Sequence, residues 1–167
     1  MTAGHCLDYS QGCGNDAWLF GHTTNTEEEF HRLEAKSVYR CQEVLAFSRK
    51  DGFDYAVLRL ERPVEGVKPF RPSLSGDVVA KDPLAVLGYP LGLPFTYTPG
   101  GTVLKIDKPF LHTDLDVHSQ NSGSVVLNLR TGLAEGILTH GAEGLSINPL
   151  DGCRETKHLA GGVSYVF

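Results

Sequence analysis

Apolar residues in this chain gather in short runs cut by glycine, proline and polar clusters, a pattern of strands and turns rather than of long amphipathic helices. Ala17-Trp18-Leu19-Phe20 is apolar and bounded by Asp16 and Gly21. Residues 37–47 alternate in part, with Val38, Val44, Leu45 and Phe47 as apolar members. Tyr55 to Leu60 reads as a strand that begins fully buried and turns half-exposed, and Pro63 breaks it off, since proline cannot continue a central strand. Further strands are predicted over 83–88, 101–106, 110–115, 124–129 and 133–139. One helical pattern stands out, residues 26–33, with Thr26 as N-cap and Glu29 placed for a capping box; a solvated acidic loop explains the same residues. The polar stretch 65–82, with Pro69 and Pro72, reads as a connection between two β halves. No internal repeat or low-complexity segment is present.

Composition narrows the class. The 167 residues suit one domain, and 41% hydrophobic residues supply a real core and exclude disorder. A net charge of -5 argues against a nucleic-acid partner, which needs cations to displace counterions from phosphates. No apolar stretch approaches the roughly 18 residues of a membrane span. The four cysteines, Cys6, Cys13, Cys41 and Cys153, allow three full pairings. None lies in a C-x-x-C and no H-E-x-x-H occurs, so no metal is expected. Bridged cysteines imply an oxidising, secreted or periplasmic setting, although residues 1–20 lack the basic start and apolar core of a signal peptide.

Three local patterns carry chemistry. Thr2-Ala3-Gly4-His5-Cys6 is a small-residue turn presenting a histidine, Asp54 stands at the mouth of the strand Tyr55 to Leu60, and Asn121-Ser122-Gly123-Ser124 is a tight turn before another strand. Each alone has a bland explanation as a turn or loop. In the order His, Asp, Ser they resemble the chymotrypsin-like (trypsin-like) serine protease family, specifically its bacterial, glutamyl-endopeptidase-like branch. Gly88-Tyr89-Pro90-Leu91-Gly92 is similar to a turn common in that branch, and Gly136 to Gly141 to the substrate-binding strand that follows the serine. The resemblance runs along nearly the whole chain.

What it implies is specific. The fold is expected to be all-β, two antiparallel β-barrels with a cleft between them and the first barrel incomplete. Residues 1–167 form one protease domain, with 1–64 the remainder of the first barrel, 65–82 the connection and 83–167 the second barrel. Ser122 is the expected nucleophile, His5 its base and Asp54 the group orienting His5, because a serine hydroxyl is a weak nucleophile until a base near neutrality takes its proton. The backbone N–H groups of Gln120 and Ser122 are the expected oxyanion hole. Asp116, Thr139, His140 and Gly141 are candidate substrate-binding residues; Asp116 reads either as an Arg/Lys-binding carboxylate or as a structural aspartate. His118 also flanks the expected pocket, and His22, His31, His112 and His158 read as surface or loop residues. The expected activity is cofactor-free serine endopeptidase action on proteins or peptides, by a monomer. The alternatives are an inactive homologue that binds peptides or proteins in the same cleft, and a fragment without independent function.

Several residues depart from the family pattern. The chain begins inside the histidine motif, so the reading frame is expected to continue upstream with more strands, a cysteine and an export signal. The family pairs the cysteine at Cys6 with one in that upstream part; Cys13 and Cys41, which flank two early strands, are the expected bridge, and Cys153 has no evident partner. Gln120 replaces a glycine whose freedom aims an N–H into the oxyanion hole, and Val125 replaces a proline.

Overall fold

The computed structural model describes residues 1–7, 13, 16–23, 35–141, 145–156 and 164–166. The helix or acidic loop expected over 26–33 lies outside these residues, as do His31 and His158. Strands dominate: β1 (Ala17–Leu19), β2 (Val38–Ser48), β3 (Tyr55–Leu60), β4 (Pro83–Gly88), β5 (Thr96–Asp107), β6 (Phe110–Thr113), β7 (Val125–Asn128), β8 (Ala134–His140), β9 (Leu145–Ile147), β10 (Arg154–Thr156) and β11 (Ser164–Val166). Short 3-10 turns cover Gly4–Leu7, Ala35–Ser37 and Pro90–Gly92.

Two units follow from the pairing. The first is an open antiparallel sheet in the order β1-β2-β3, and the second is a closed barrel in the order β11-β6-β5-β4-β7-β8. The all-β expectation therefore holds, with one barrel closed and its counterpart left as a three-stranded sheet. A small β9-β10 hairpin stands apart.

Closure of the barrel explains where the core lies. Strand β4 reads Leu84-Ala85-Val86-Leu87 with almost no alternation, as suits a strand bonded on both edges, to β5 and to β7. Strands β6 and β7 alternate half-buried and buried positions, sending Leu111 and Val126 inward. Leu84, Val86, Val103, Leu115, Val117 and Leu138 complete the same apolar cluster. Strand β5 starts five residues before the segment read from the pattern, running through Pro99, Gly100 and Gly101. Pro99 pairs with Ala85 and Gly101 with Leu84, so Gly100 is the bulged residue of β5, and it takes a positive φ of 104°.

A buried polar network fastens the start of β4 to the end of β7. Asp82 is 3% exposed and accepts from Arg130 Nε (2.6 Å), an Arg130 terminal nitrogen (2.7 Å), Asn128 Nδ2 (2.8 Å) and the Val79 backbone N–H (3.0 Å). The Arg130 hydrogen bond, helped by those from Val79 and Asn128, holds the Asp82 carboxyl well below its ordinary range against the opposing cost of burial. The connection after β3 joins the barrel nearby, where Ser73 N–H donates to Ala134 O and Ala134 N–H to Arg71 O, each at 2.8 Å. Cys13 and Cys41 form a disulfide with Cα atoms 5.2 Å apart, tying the segment before β1 to β2, while Cys6 and Cys153 carry free, exposed thiols.

Candidate active site

The histidine turn is held against β3 by a reciprocal pair of backbone hydrogen bonds. Thr2 N–H donates to Ala56 O at 2.9 Å and Ala56 N–H to Thr2 O at 2.8 Å. The chain then tightens into the turn Gly4–Leu7 directly over Asp54. Gly4 is needed for that approach, because a Cβ there would stand 2.7 Å from Ser48 O and 2.9 Å from Asp54 Oδ1. His5 consequently meets Asp54 twice: its backbone N–H donates to Oδ1 at 2.8 Å, and its Nδ1 lies 2.6 Å from Oδ2.

These contacts dictate a tautomer. An ionised carboxylate only accepts, so the proton of a neutral His5 sits on Nδ1 and Nε2 is left as a free base. Asp54 is 7% exposed, and burial makes the pair stronger than it would be in water. Spacing in sequence brings none of this about; the two residues are 49 apart and meet through the Thr2–Ala56 bridge.

Ser122 approaches from the barrel side. Its turn is anchored at both ends: Asn121 N–H donates to His118 O (3.3 Å), Ser124 N–H to Asn121 O (3.1 Å), and Gly123 N–H to Leu138 O (2.7 Å). The Ser124 hydroxyl donates to Asn121 Oδ1 at 2.8 Å, and Gly88 leaves room for that pair, since a Cβ at 88 would run into both side chains. The Pro90–Gly92 turn supports the preceding residue through Leu91 N–H to Ser119 O at 3.1 Å. Gln120 takes φ of 67°, a left-handed conformation that a glycine adopts without cost. Among the described residues, neither the Gln120 nor the Ser122 backbone N–H donates a hydrogen bond within the chain, so both donors are open.

His5, Asp54, Ser122 and Gln120 line one cavity of about 470 Å³. Thr139, His140 and Gly141 line it too, so most of the residues expected around a substrate are together; Asp116 is half-buried and not among the lining residues. The His140 ring lies 6.3 Å from that of His5, tilted by 47°, and its Nδ1 is 3.1 Å from Thr139 Oγ1. Sequence reasoning missed Arg49 and Ser119 in this lining and gave little weight to His118, while Leu138 belongs to the 136–141 stretch likened to a substrate-binding strand. His118 Nδ1 is buried and has no hydrogen-bond partner among the described residues. Arg49 offered no local signal, being one charged residue at the exposed end of a strand. The Cys6 thiol makes a long contact with Ser122 O (3.9 Å), and although the residue is exposed, desolvation of its sulfur raises the thiol above its ordinary range.

Residues 1–137 match the family model described as the trypsin-like peptidase domain. No curated protein matches the chain. Among solved structures it is similar to Rv3671c from M. tuberculosis, a serine-to-alanine mutant in its inactive form. The TM-score is 0.50 at 18% identity, covering 79% of this chain and 60% of that one. It is similar also to the Rv3671c protease, inactive form, with a TM-score of 0.50 at 20% identity, covering 80% of this chain and 69% of that one. At these identities the likeness is one of fold.

Proposed function

Because the chain belongs to the trypsin-like peptidase domain family, we propose that it is a serine endopeptidase in which Ser122 attacks the scissile carbonyl, His5 moves the proton and Asp54 orients His5. The observation that carries this reading is the 2.6 Å His5 Nδ1–Asp54 Oδ2 contact in a cavity that Ser122 also lines. It leaves Nε2 as the only basic position of His5, on a ring that lines the same cavity as the serine. In the first step the Ser122 oxygen forms a bond to the carbonyl carbon while its proton passes to His5 Nε2. Collapse of the tetrahedral adduct expels the amine, which takes that proton, and leaves an acyl group on Ser122. Water, deprotonated by the same imidazole, then releases the acid and restores the serine. The open N–H groups of Gln120 and Ser122 are the candidate donors to the oxyanion, a role typically worth a few kcal/mol per donor.

The finer reading, a glutamyl-endopeptidase-like enzyme, draws on the charge of the cavity. Arg49, His118 and His140 line it, and the single carboxylate among its described lining residues, Asp54, is engaged by His5. A cavity of that balance favours a substrate carboxylate over an Arg or Lys side chain, and Asp116 does not line it. An oxidising compartment, secreted or periplasmic, agrees with the Cys13–Cys41 disulfide. The competing reading, an inactive homologue that binds peptides, rests on one observation: no hydrogen bond joins His5 Nε2 to Ser122 Oγ among the described residues. Such bonds are often long in free enzymes and shorten when substrate is bound.

One experiment separates the two. A fluorophosphonate probe should label the wild-type chain, Ser122→Ala should abolish labelling, and His5→Ala should reduce it nearly as far, since the residues act as a unit. Labelling that survives in Ser122→Ala would overturn the nucleophile, and no labelling of folded wild-type protein would favour the binding protein. Peptides differing only in Glu, Lys or Phe before the scissile bond then test the finer reading, which fails if Lys is preferred.

A further inference from the structure

A second cavity, of about 660 Å³, opens between the end of β1, the connection after β3 and the turn after β4, and it shares no lining residue with the candidate active site. Its walls are aromatic: Phe20, Phe70, Tyr89 and Phe95, joined by Val67. Tyr89 organises them, stacking on His22 at 6.0 Å and 12° and meeting Phe95 at 5.6 Å and 59°. Val67, Phe70 and Phe95 nevertheless remain 51%, 48% and 43% exposed, so a pre-formed apolar pocket of small-molecule size stands open to solvent.

The polar groups of the cavity have one sign. Among the described residues, Lys68 lines it and makes no ion pair, and no aspartate or glutamate lines it. The Tyr89 hydroxyl likewise makes no hydrogen bond there, and burial raises its phenol, which keeps it a proton donor at neutral pH. An ammonium and a hydroxyl donor beside aromatic walls, with no acidic residue among the described lining, complement a ligand that is apolar along its body and anionic at one end.

We propose that this cavity is a binding site for an amphipathic monocarboxylate, a small molecule with a medium-length alkyl body in the aromatic groove and its carboxylate on Lys68. The site stands whether or not the chain cleaves peptides, because its walls and its cation lie outside the proposed catalytic residues.

Decanoate, kept below its micelle-forming range, is the probe, with decylammonium as its charge-reversed counterpart. Trp18 is the single tryptophan and lies two residues before Phe20, so intrinsic fluorescence reports on the cavity, with calorimetry giving the stoichiometry. Decanoate should bind saturably at one site and more tightly than decylammonium at low ionic strength. Lys68→Gln should weaken decanoate about two- to five-fold, the scale of one partly exposed ion pair. Lys68→Glu should reverse the order of the two probes. Lys68 is an exposed residue, so both variants are expected to melt with the wild type, and a melt of each checks this. Absence of saturable binding, or equal binding of the two probes, would overturn the proposal in favour of an indiscriminate apolar surface. A protein-concentration-dependent dimer that decanoate fails to dissociate would overturn it in favour of a second copy covering the groove.

Discussion

Gln120 and Gly4 show how much of the candidate site hangs on single backbone positions. At φ of 67° Gln120 carries a side chain in a region that costs an L-residue about 1–2 kcal/mol, yet its N–H stays open. Gln120→Gly relieves that strain and adds a similar unfolded-state entropy, so stability should change by less than about 1 kcal/mol. Peptidase turnover should stay within the same order of magnitude, because the glutamine already adopts the left-handed conformation a glycine would take. Proline fixes φ at about −65°, so Gln120→Pro removes the N–H and also re-aims the turn; turnover should fall by at least roughly 10²-fold, with Gln120→Ala as the control that keeps the donor. Active-site titration alongside the assay separates lost chemistry from lost fold. At Gly4 a methyl group would press on Ser48 O and Asp54 Oδ1 at distances real side chains do not tolerate. Gly4→Ala should cost about 1–3 kcal/mol in urea unfolding and loosen the His5–Asp54 pair, lowering fluorophosphonate labelling at Ser122.

At the scale of elements, the barrel depends on a polar fastening that no hydrophobic pattern announces. Asp82 precedes β4, Asn128 ends β7 and Arg130 follows it, and the three meet in a pocket where Asp82 is almost wholly buried. The Asp82 carboxyl ordinarily titrates near 3.8 and lies lower in the folded chain. A depressed folded value means its stabilisation is fully present above the unfolded value and is lost as pH falls through the folded one. Unfolding free energy of the wild type should therefore drop between about pH 5 and pH 2 more steeply than that of Asp82→Asn, which cannot titrate. Arg130→Met leaves a buried carboxylate without its cation and should cost about 1–3 kcal/mol at neutral pH, read from the midpoint of a denaturant melt. Strand β5 makes a related point, since Thr96 to Gly101 looks like a turn by composition and forms part of a long strand because a bulge at Gly100 keeps it paired with β4.

The whole molecule divides into parts of unequal strength. The barrel closes on itself and buries an apolar cluster, whereas β1, β2 and β3 form an open sheet whose Leu45 and Phe47 are each 48% exposed. Hydrogen exchange should be slowest in β4 and β7, central to the barrel, and fast in β1, which pairs on one edge only. The Cys13–Cys41 bridge spans 28 residues and steadies that weaker sheet. By chain entropy it contributes about 3–4 kcal/mol, so reduction, or Cys41→Ser, should speed exchange in β1 and β2 while leaving the barrel amides nearly unchanged. Uniform acceleration across both units would show instead that they unfold together.

The sequence by itself determined the class of this protein and the identities of its chemical groups. Short apolar runs between turn residues specify strands, because side-chain alternation is a local property. The motifs around His5, Asp54 and Ser122 were legible for the same reason: each is a short local pattern, two turns and one strand mouth. Only the tertiary structure decided what those turns face. The His5–Asp54 contact, the arrival of Arg49 and His118 in the Ser122 cavity, and the Asp82–Arg130 fastening all join residues far apart along the chain. The three added strands β9, β10 and β11 were equally hidden, being too short for alternation to register. Pairing energy in a sheet comes from the neighbour across the ladder, and a strand of three residues is defined by that neighbour more than by its own sequence.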